Sequence, residues 1–139
     1  PNAAALKEII KDQLSGLGYT IRDFGSYDPI YARVAFAVGE AVAAKQFDRG
    51  ILLCGTGIGM SIAANKVPGI YAALCADTYS AERAIKSNNS NVLTIGAFTT
   101  GTEIAKQIVK IWMEAEWQSG TASEAKVACY MEYAGKHQI

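Results

Sequence analysis

The chain has 139 residues, half of them hydrophobic, and its 13 Lys and Arg are balanced by 13 Asp and Glu, so the formal net charge is zero. A balanced chain without a basic run lacks the electrostatic footprint of a nucleic-acid or anionic-membrane binder. The apolar stretches fall short of the roughly 20 residues that cross a bilayer, so we expect one soluble, cytoplasmic domain over residues 1–139 with a small molecule as its partner.

Pro1 suits the first turn of a helix, where its missing N–H does no harm. Leu6, Ile9, Ile10, Leu14 and Leu17 then recur at helical spacing before Gly16 and Gly18, which predicts an amphipathic helix over 3–17. No strand precedes it. Because strand and helix alternate in the rest of the chain, a first strand is expected to be missing from the sequence as it stands. Residues 19–24 read as a strand, and Gly25-Ser26-Tyr27-Asp28-Pro29 reads as a turn, with Pro29 suited to opening the next helix. That helix runs to about residue 46 on Val34, Phe36, Val38 and Val42. The short apolar run Ile51-Leu52-Leu53-Cys54 is the pattern of a parallel strand covered on both faces. A helix over 58–65 follows, then a strand over 70–75, a helix over 79–87, a strand over 92–95 and a long helix over 103–117. After a polar linker, 118–122, a last helix over 123–133 either caps its own sheet or packs on a partner subunit. The repeated β-α order predicts an α/β, Rossmann-like three-layer αβα sandwich with a parallel sheet.

Ligands of open α/β sheets bind at the carboxyl ends of the strands. Cys54 sits at such an end, followed by Gly55-Thr56-Gly57-Ile58-Gly59 at a helix start. Glycines there let backbone N–H groups approach a ligand oxygen, so an anion is the expected guest. Read by itself, Cys54 is either a small residue closing a strand or a reactive thiol. The odd number of cysteines, at 54, 75 and 129, fits neither a disulfide framework nor a Cys-rich zinc site. A dinucleotide fingerprint needs glycine where Met60 stands, although Asp77 lies near the place of a ribose-binding acid. A P-loop needs a lysine that Ile58 to Ser61 do not supply. A cysteine phosphatase loop needs an arginine at Met60.

The run Cys54-Gly55-Thr56-Gly57-Ile58-Gly59-Met60-Ser61-Ile62-Ala63-Ala64-Asn65-Lys66-Val67-Pro68-Gly69-Ile70 closely resembles the signature of the ribose-5-phosphate isomerase B family, which includes galactose-6-phosphate and tetrulose-4-phosphate isomerases. The resemblance continues through Asp77-Thr78-Tyr79-Ser80-Ala81-Glu82-Arg83 and from Asn88 to Gly96, and extends in looser form from Leu6 to about Val127. It implies no metal or cofactor, a homodimer or dimer of dimers, and active sites shared between subunits. It implies that Cys54 moves a proton between C1 and C2 of an open-chain sugar through a cis-enediolate. Thr56 would pass the proton between O1 and O2, and the N–H groups of Gly55, Gly57, Ile58 and Gly59 would form an oxyanion hole. Asn88 would bind the enediolate and Tyr31 would face the substrate. The plainer readings are a helix cap for Thr56, a loop contact for Asn88 and a packing residue for Tyr31.

Two departures bear on the substrate. Ribose-5-phosphate isomerases of this kind have a ring-opening histidine where this chain has Ser87, and His137 lies near the C-terminus, where a solvated residue is expected. A tetrose 4-phosphate cannot close a furanose ring because its O4 carries the phosphate, so the change points to a four-carbon substrate. The alternatives are a ribose-5-phosphate or galactose-6-phosphate isomerase, and a non-catalytic sugar- or nucleotide-binding module. The family's basic positions hold Phe98, Ala122 and Ser123, which leaves Lys126 as the expected phosphate ligand. The family's aspartate ahead of the first helix would precede Pro1.

Overall fold

The computed structural model describes residues 3–25 and 28–137. Pro1 and the Ser26-Tyr27 part of the expected turn lie outside them. The described residues form nine elements around a parallel sheet: α1 (Ala4–Gly16), α2 (Ala32–Ala43), β1 (Gly50–Cys54), α3 (Ile58–Ala64), β2 (Ala72–Leu74), α4 (Thr78–Lys86), β3 (Val92–Gly96), α5 (Thr102–Glu114) and α6 (Ala122–His137). The strand order is β1-β3-β2. Gly50 faces Val92 and Cys54 faces Gly96 across the first pair, while Ala72 faces Val92 across the second.

The central strand sorts the core by its period of two. Leu93 and Ile95 join Ile10, Leu14, Ile85, Ile108 and Trp112 in a layer built on α1, α4 and α5. Val92 joins Val38, Val42, Leu52, Met60 and Ile70 in a layer built on α2 and α3. The α1 stripe is narrower than its spacing predicts, since Leu6, Ile10 and Leu14 are buried while Leu17 is exposed. Phe36, expected on the inner face of α2, is exposed too, and Ala35, Gly39 and Ala41 take the inner positions.

The strand expected over 19–24 does not form. The segment forms no ladder with β1. A cavity of about 800 Å³ lies between them, lined by Ile21 and Phe24 on one side and Leu52 and Leu53 on the other. Strand identity needs a neighbour at about 4.8 Å, and the apolar alternation of 19–24 cannot supply one. Asp23 anchors the segment instead. Its carboxylate accepts the Gly25 N–H at 2.8 Å and pairs with Lys7 at 3.0 Å and Lys11 at 3.1 Å. Those donors, the Gly25 N–H first, hold it down at a pKa of about 2.

Two side chains finish the sheet and the long helix. On the outer edge of β2 the Asn65 amide donates to the Ala72 carbonyl at 3.0 Å and accepts the Ala72 N–H at 2.8 Å, occupying that residue's edge groups. Before β1, the half-buried Arg49 guanidinium donates to the carbonyls of Trp112, Met113 and Ala115. That explains why α5 stops at Glu114 rather than near residue 117, for Arg49 takes the terminal carbonyls that a further turn would use.

Candidate active site

The loop after β1 is held by every neighbour it has. Ala97 N–H donates to the Cys54 carbonyl at 2.7 Å and Phe98 N–H to the Gly55 carbonyl at 2.9 Å, so the loops after β1 and β3 run together. Gly57 turns the chain at φ +79°, where a residue with a Cβ is strained, and a Cβ there would also strike Leu74. Its N–H donates to Cys54 Sγ at 3.0 Å. Its carbonyl accepts the fully buried Thr94 hydroxyl, also at 3.0 Å. The Cys54 sulfur is thereby turned toward the loop, and the loop is anchored to the central strand. A Cβ on Gly96 would run into the Thr56 backbone, and one on Gly59 would overlap the Tyr31 hydroxyl. These glycines let β3 and Tyr31 approach the loop closely.

Cys54 and Cys75 both stand at the carboxyl end of the sheet, yet they differ in kind. Cys75 is buried, and burial, with Asp77 adding, pushes its thiol up to about 11. It stays protonated and inert. Cys54 is half-buried and lines the cavity between β1 and 19–24 together with Tyr31, Gly55, Met60 and Asp28. Thr56 is exposed, and its hydroxyl accepts the Ile58 N–H at 3.3 Å, a local turn contact rather than the helix cap of the plainer reading, since Gly57 holds the cap position of α3. The N–H groups of Gly59 and Met60, in the first turn of α3, have no acceptor among the described residues, as the start of a helix leaves them.

The structure brings Cys54, Thr56, Tyr31 and Gly55 to Gly59 together; it separates Asn88 and Lys126 from them. Asn88 follows α4 and precedes β3, which puts it at the amino end of the sheet, whereas Cys54 pairs with Gly96 at the carboxyl end. Asn88 lines a second cavity, of about 410 Å³, along the outer edge of β2. Its carbonyl accepts the Tyr130 hydroxyl, and the Tyr130 ring lies 5.1 Å from that of Tyr71, so α6 is fastened over this edge within its own chain. Lys126 is exposed on α6 and lines neither cavity. His137 ends the same helix, stacked 4.0 Å from Tyr133 and exposed. Thr94 escaped the sequence reading. Its signal was a hydroxyl inside the apolar run Val92-Leu93-Thr94-Ile95, where burial demands a partner.

Residues 2–129 match the family model described as Ribose/Galactose Isomerase. A D-erythrulose-4-phosphate isomerase of Pectobacterium atrosepticum is 49% identical, over 98% of this chain and 93% of its own. A ribose-5-phosphate isomerase B of Escherichia coli is 42% identical, over 83% of this chain and 79% of its own. The structure of ribose-5-phosphate isomerase B from Clostridium thermocellum superposes with a TM-score of 0.91 at 40% identity, over 98% of this chain and 93% of that one. With its α/β sandwich, its glycine loop and these matches, the chain belongs to the ribose/galactose isomerase family.

Proposed function

We propose that the protein interconverts a tetrose 4-phosphate and its tetrulose by proton transfer at Cys54. The observation that carries this reading is the Cys54 sulfur held by the Gly57 N–H in the lining of a cavity, beside a helix start whose Gly59 and Met60 N–H groups have no acceptor among the described residues. The thiolate takes a proton from the carbon next to the carbonyl. The electron pair forms the C1–C2 double bond of a cis-enediolate, and the proton returns to the other carbon. Thr56 carries the hydroxyl proton between O1 and O2, and the N–H groups of the glycine loop stabilise the oxyanion where charge develops. Tyr31, lying over Gly59, closes the site from the α2 side. No metal or cofactor is needed for this chemistry. The free thiols of Cys54, Cys75 and Cys129 favour a reducing, cytoplasmic setting.

The four-carbon substrate is supported by Ser87, whose hydroxyl accepts the Arg83 Nη1–H at 3.2 Å and is far too weak an acid to protonate a ring oxygen as a histidine would. The Pectobacterium relative, named for D-erythrulose 4-phosphate, points the same way. Wild type is expected to turn over erythrulose 4-phosphate much faster than ribose 5-phosphate. Ser87→His should raise only the latter rate. Equal wild-type kcat/KM on both sugars would return the assignment to pentose phosphates.

We also infer a homodimer or a dimer of dimers with shared sites. Asn88 can meet Cys54 only if a second copy presents it, because within one chain they stand at opposite ends of the sheet. Ile58, Ile62, Leu74, Tyr79 and Phe98 form exposed apolar ground around the Cys54 loop, suited to such contact. Two separately inactive variants, Cys54→Ala and Asn88→Ala, should recover activity when unfolded and refolded together. Sedimentation as a monomer at micromolar concentration would contradict the shared site.

A further inference from the structure

We propose that Arg83 is the cation that binds the phosphate of the substrate, in the cavity along the edge of β2. The inference rests on the isomerase reading above and departs from the expectation that Lys126 does this work. Arg83 is the one cationic side chain among the described residues that line this cavity, and Asn88 lines it too. Anion and enediolate ligands would thus be carried on one surface, with Arg83 one helical turn before Ser87 and Asn88 just beyond it. Lys126 stands outside the cavity, exposed on α6.

The guanidinium is built to receive more than it now holds. Nη1 donates to the Ser87 hydroxyl at 3.2 Å and Nη2 to Glu82 at 3.0 Å. Nε is buried and has no acceptor. A buried N–H without a partner is a standing cost, which an oxyanion accepting from it removes. The planar fork matches two phosphate oxygens at once, a geometry that a lysine ammonium does not offer. Among the described residues Glu82 is the one carboxylate paired with the guanidinium, and it is shared with Lys86 at 3.7 Å, so it can follow that lysine when a dianion takes its place on Arg83. Most other polar lining groups are committed: the Asn65 amide serves Ala72, the Ser80 hydroxyl serves Asp77, the Ser90 hydroxyl serves the Val92 carbonyl and the Tyr130 hydroxyl serves the Asn88 carbonyl. That leaves Arg83, the Asn88 amide and the Tyr71 hydroxyl to meet a ligand.

The test is Arg83→Gln beside Lys126→Gln, with inorganic phosphate as a probe independent of turnover. Arg83→Gln should raise KM for erythrulose 4-phosphate, and weaken inorganic phosphate binding measured by calorimetry, by about tenfold to a hundredfold. It should leave kcat within a few fold and unphosphorylated erythrulose, used as a slow substrate, unaffected. Lys126→Gln should change neither phosphate value by more than about twofold. Arg83→Lys keeps the charge without the fork and should fall between, which covers the case that the glutamine variant folds poorly. If Arg83→Gln and Arg83→Lys both fold and bind inorganic phosphate as wild type does, Arg83 is not the phosphate ligand. If phosphate binding falls as stated while wild type isomerises no sugar phosphate, the anion site stands and the isomerase reading fails.

Discussion

Cys54→Ala is expected to abolish isomerisation while the chain still folds and binds its sugar phosphate. General acid–base transfer contributes about 10²–10⁴-fold, and a residue on which both half-reactions depend loses all of that at once. Two carboxylates that line the same cavity are engaged elsewhere: Asp28 accepts the Ile30 N–H at 2.8 Å and lies 3.6 Å from Arg33, and Asp23 holds Gly25, Lys7 and Lys11. Folding should survive, since the lost contact is one N–H to sulfur bond on a half-buried side chain, of the order of 1 kcal/mol. Cys54→Ser keeps the shape with a far weaker base and should be nearly as inactive. The assay is aldose–ketose turnover, paired with substrate-induced stabilisation against heat to show that binding persists. Turnover near the wild-type rate in either variant would remove Cys54 from the role of base.

The second large effect is on stability. Arg49→Ala should cost about 2–4 kcal/mol, lowering Tm by roughly 10 °C, because it strips three carbonyls at the end of α5, those of Trp112, Met113 and the capping Ala115, of their donor and leaves the alanine methyl far short of them. The guanidinium also lies over the indole of Trp112, 5.2 Å from its centre, so the substitution uncovers a side chain at the heart of one core layer. Burial disfavours the Arg49 charge, so its three carbonyl acceptors matter more here than partners do at a surface ion pair. Arg49→Lys should recover part of the loss through one or two of the same carbonyls. Since Arg49 precedes β1, at the end of the strand opposite Cys54, kcat at a temperature where the variant is folded should be unchanged. Urea denaturation that finds less than about 0.5 kcal/mol between wild type and Arg49→Ala would show that water serves those carbonyls equally well.

What the sequence made legible was local. The β-α alternation follows from side-chain period, and the Cys54 loop from glycines that only a tight turn before a helix requires, so both could be read residue by residue. The failures were non-local. Whether 19–24 is a strand depends on a neighbour that its own alternation cannot specify. The end of α5 depends on Arg49, 63 residues earlier in the chain than Trp112. Asn88 shows a different limit. Its motif was readable, and so was its place between a helix and the start of a strand. That a parallel sheet puts this place opposite the end of β1 becomes decisive only once the pairing of Cys54 with Gly96 is known. Lys126 was chosen by elimination among basic positions along the chain, and its exposure on α6 could not be read from that alignment of charges.

The amide of Asn65 has a consequence for how copies of this chain can meet. Ala72 directs its N–H and C=O away from β3, and both are already taken. At Ala72, therefore, a neighbouring strand finds no free backbone groups with which to continue the sheet, as an open edge would invite. In the homodimer proposed above, contact at this edge would run through side chains instead. The strength of that contact would follow apolar burial rather than shared backbone hydrogen bonds, so it would loosen on cooling, as hydrophobic contacts do, while each subunit keeps its own sheet.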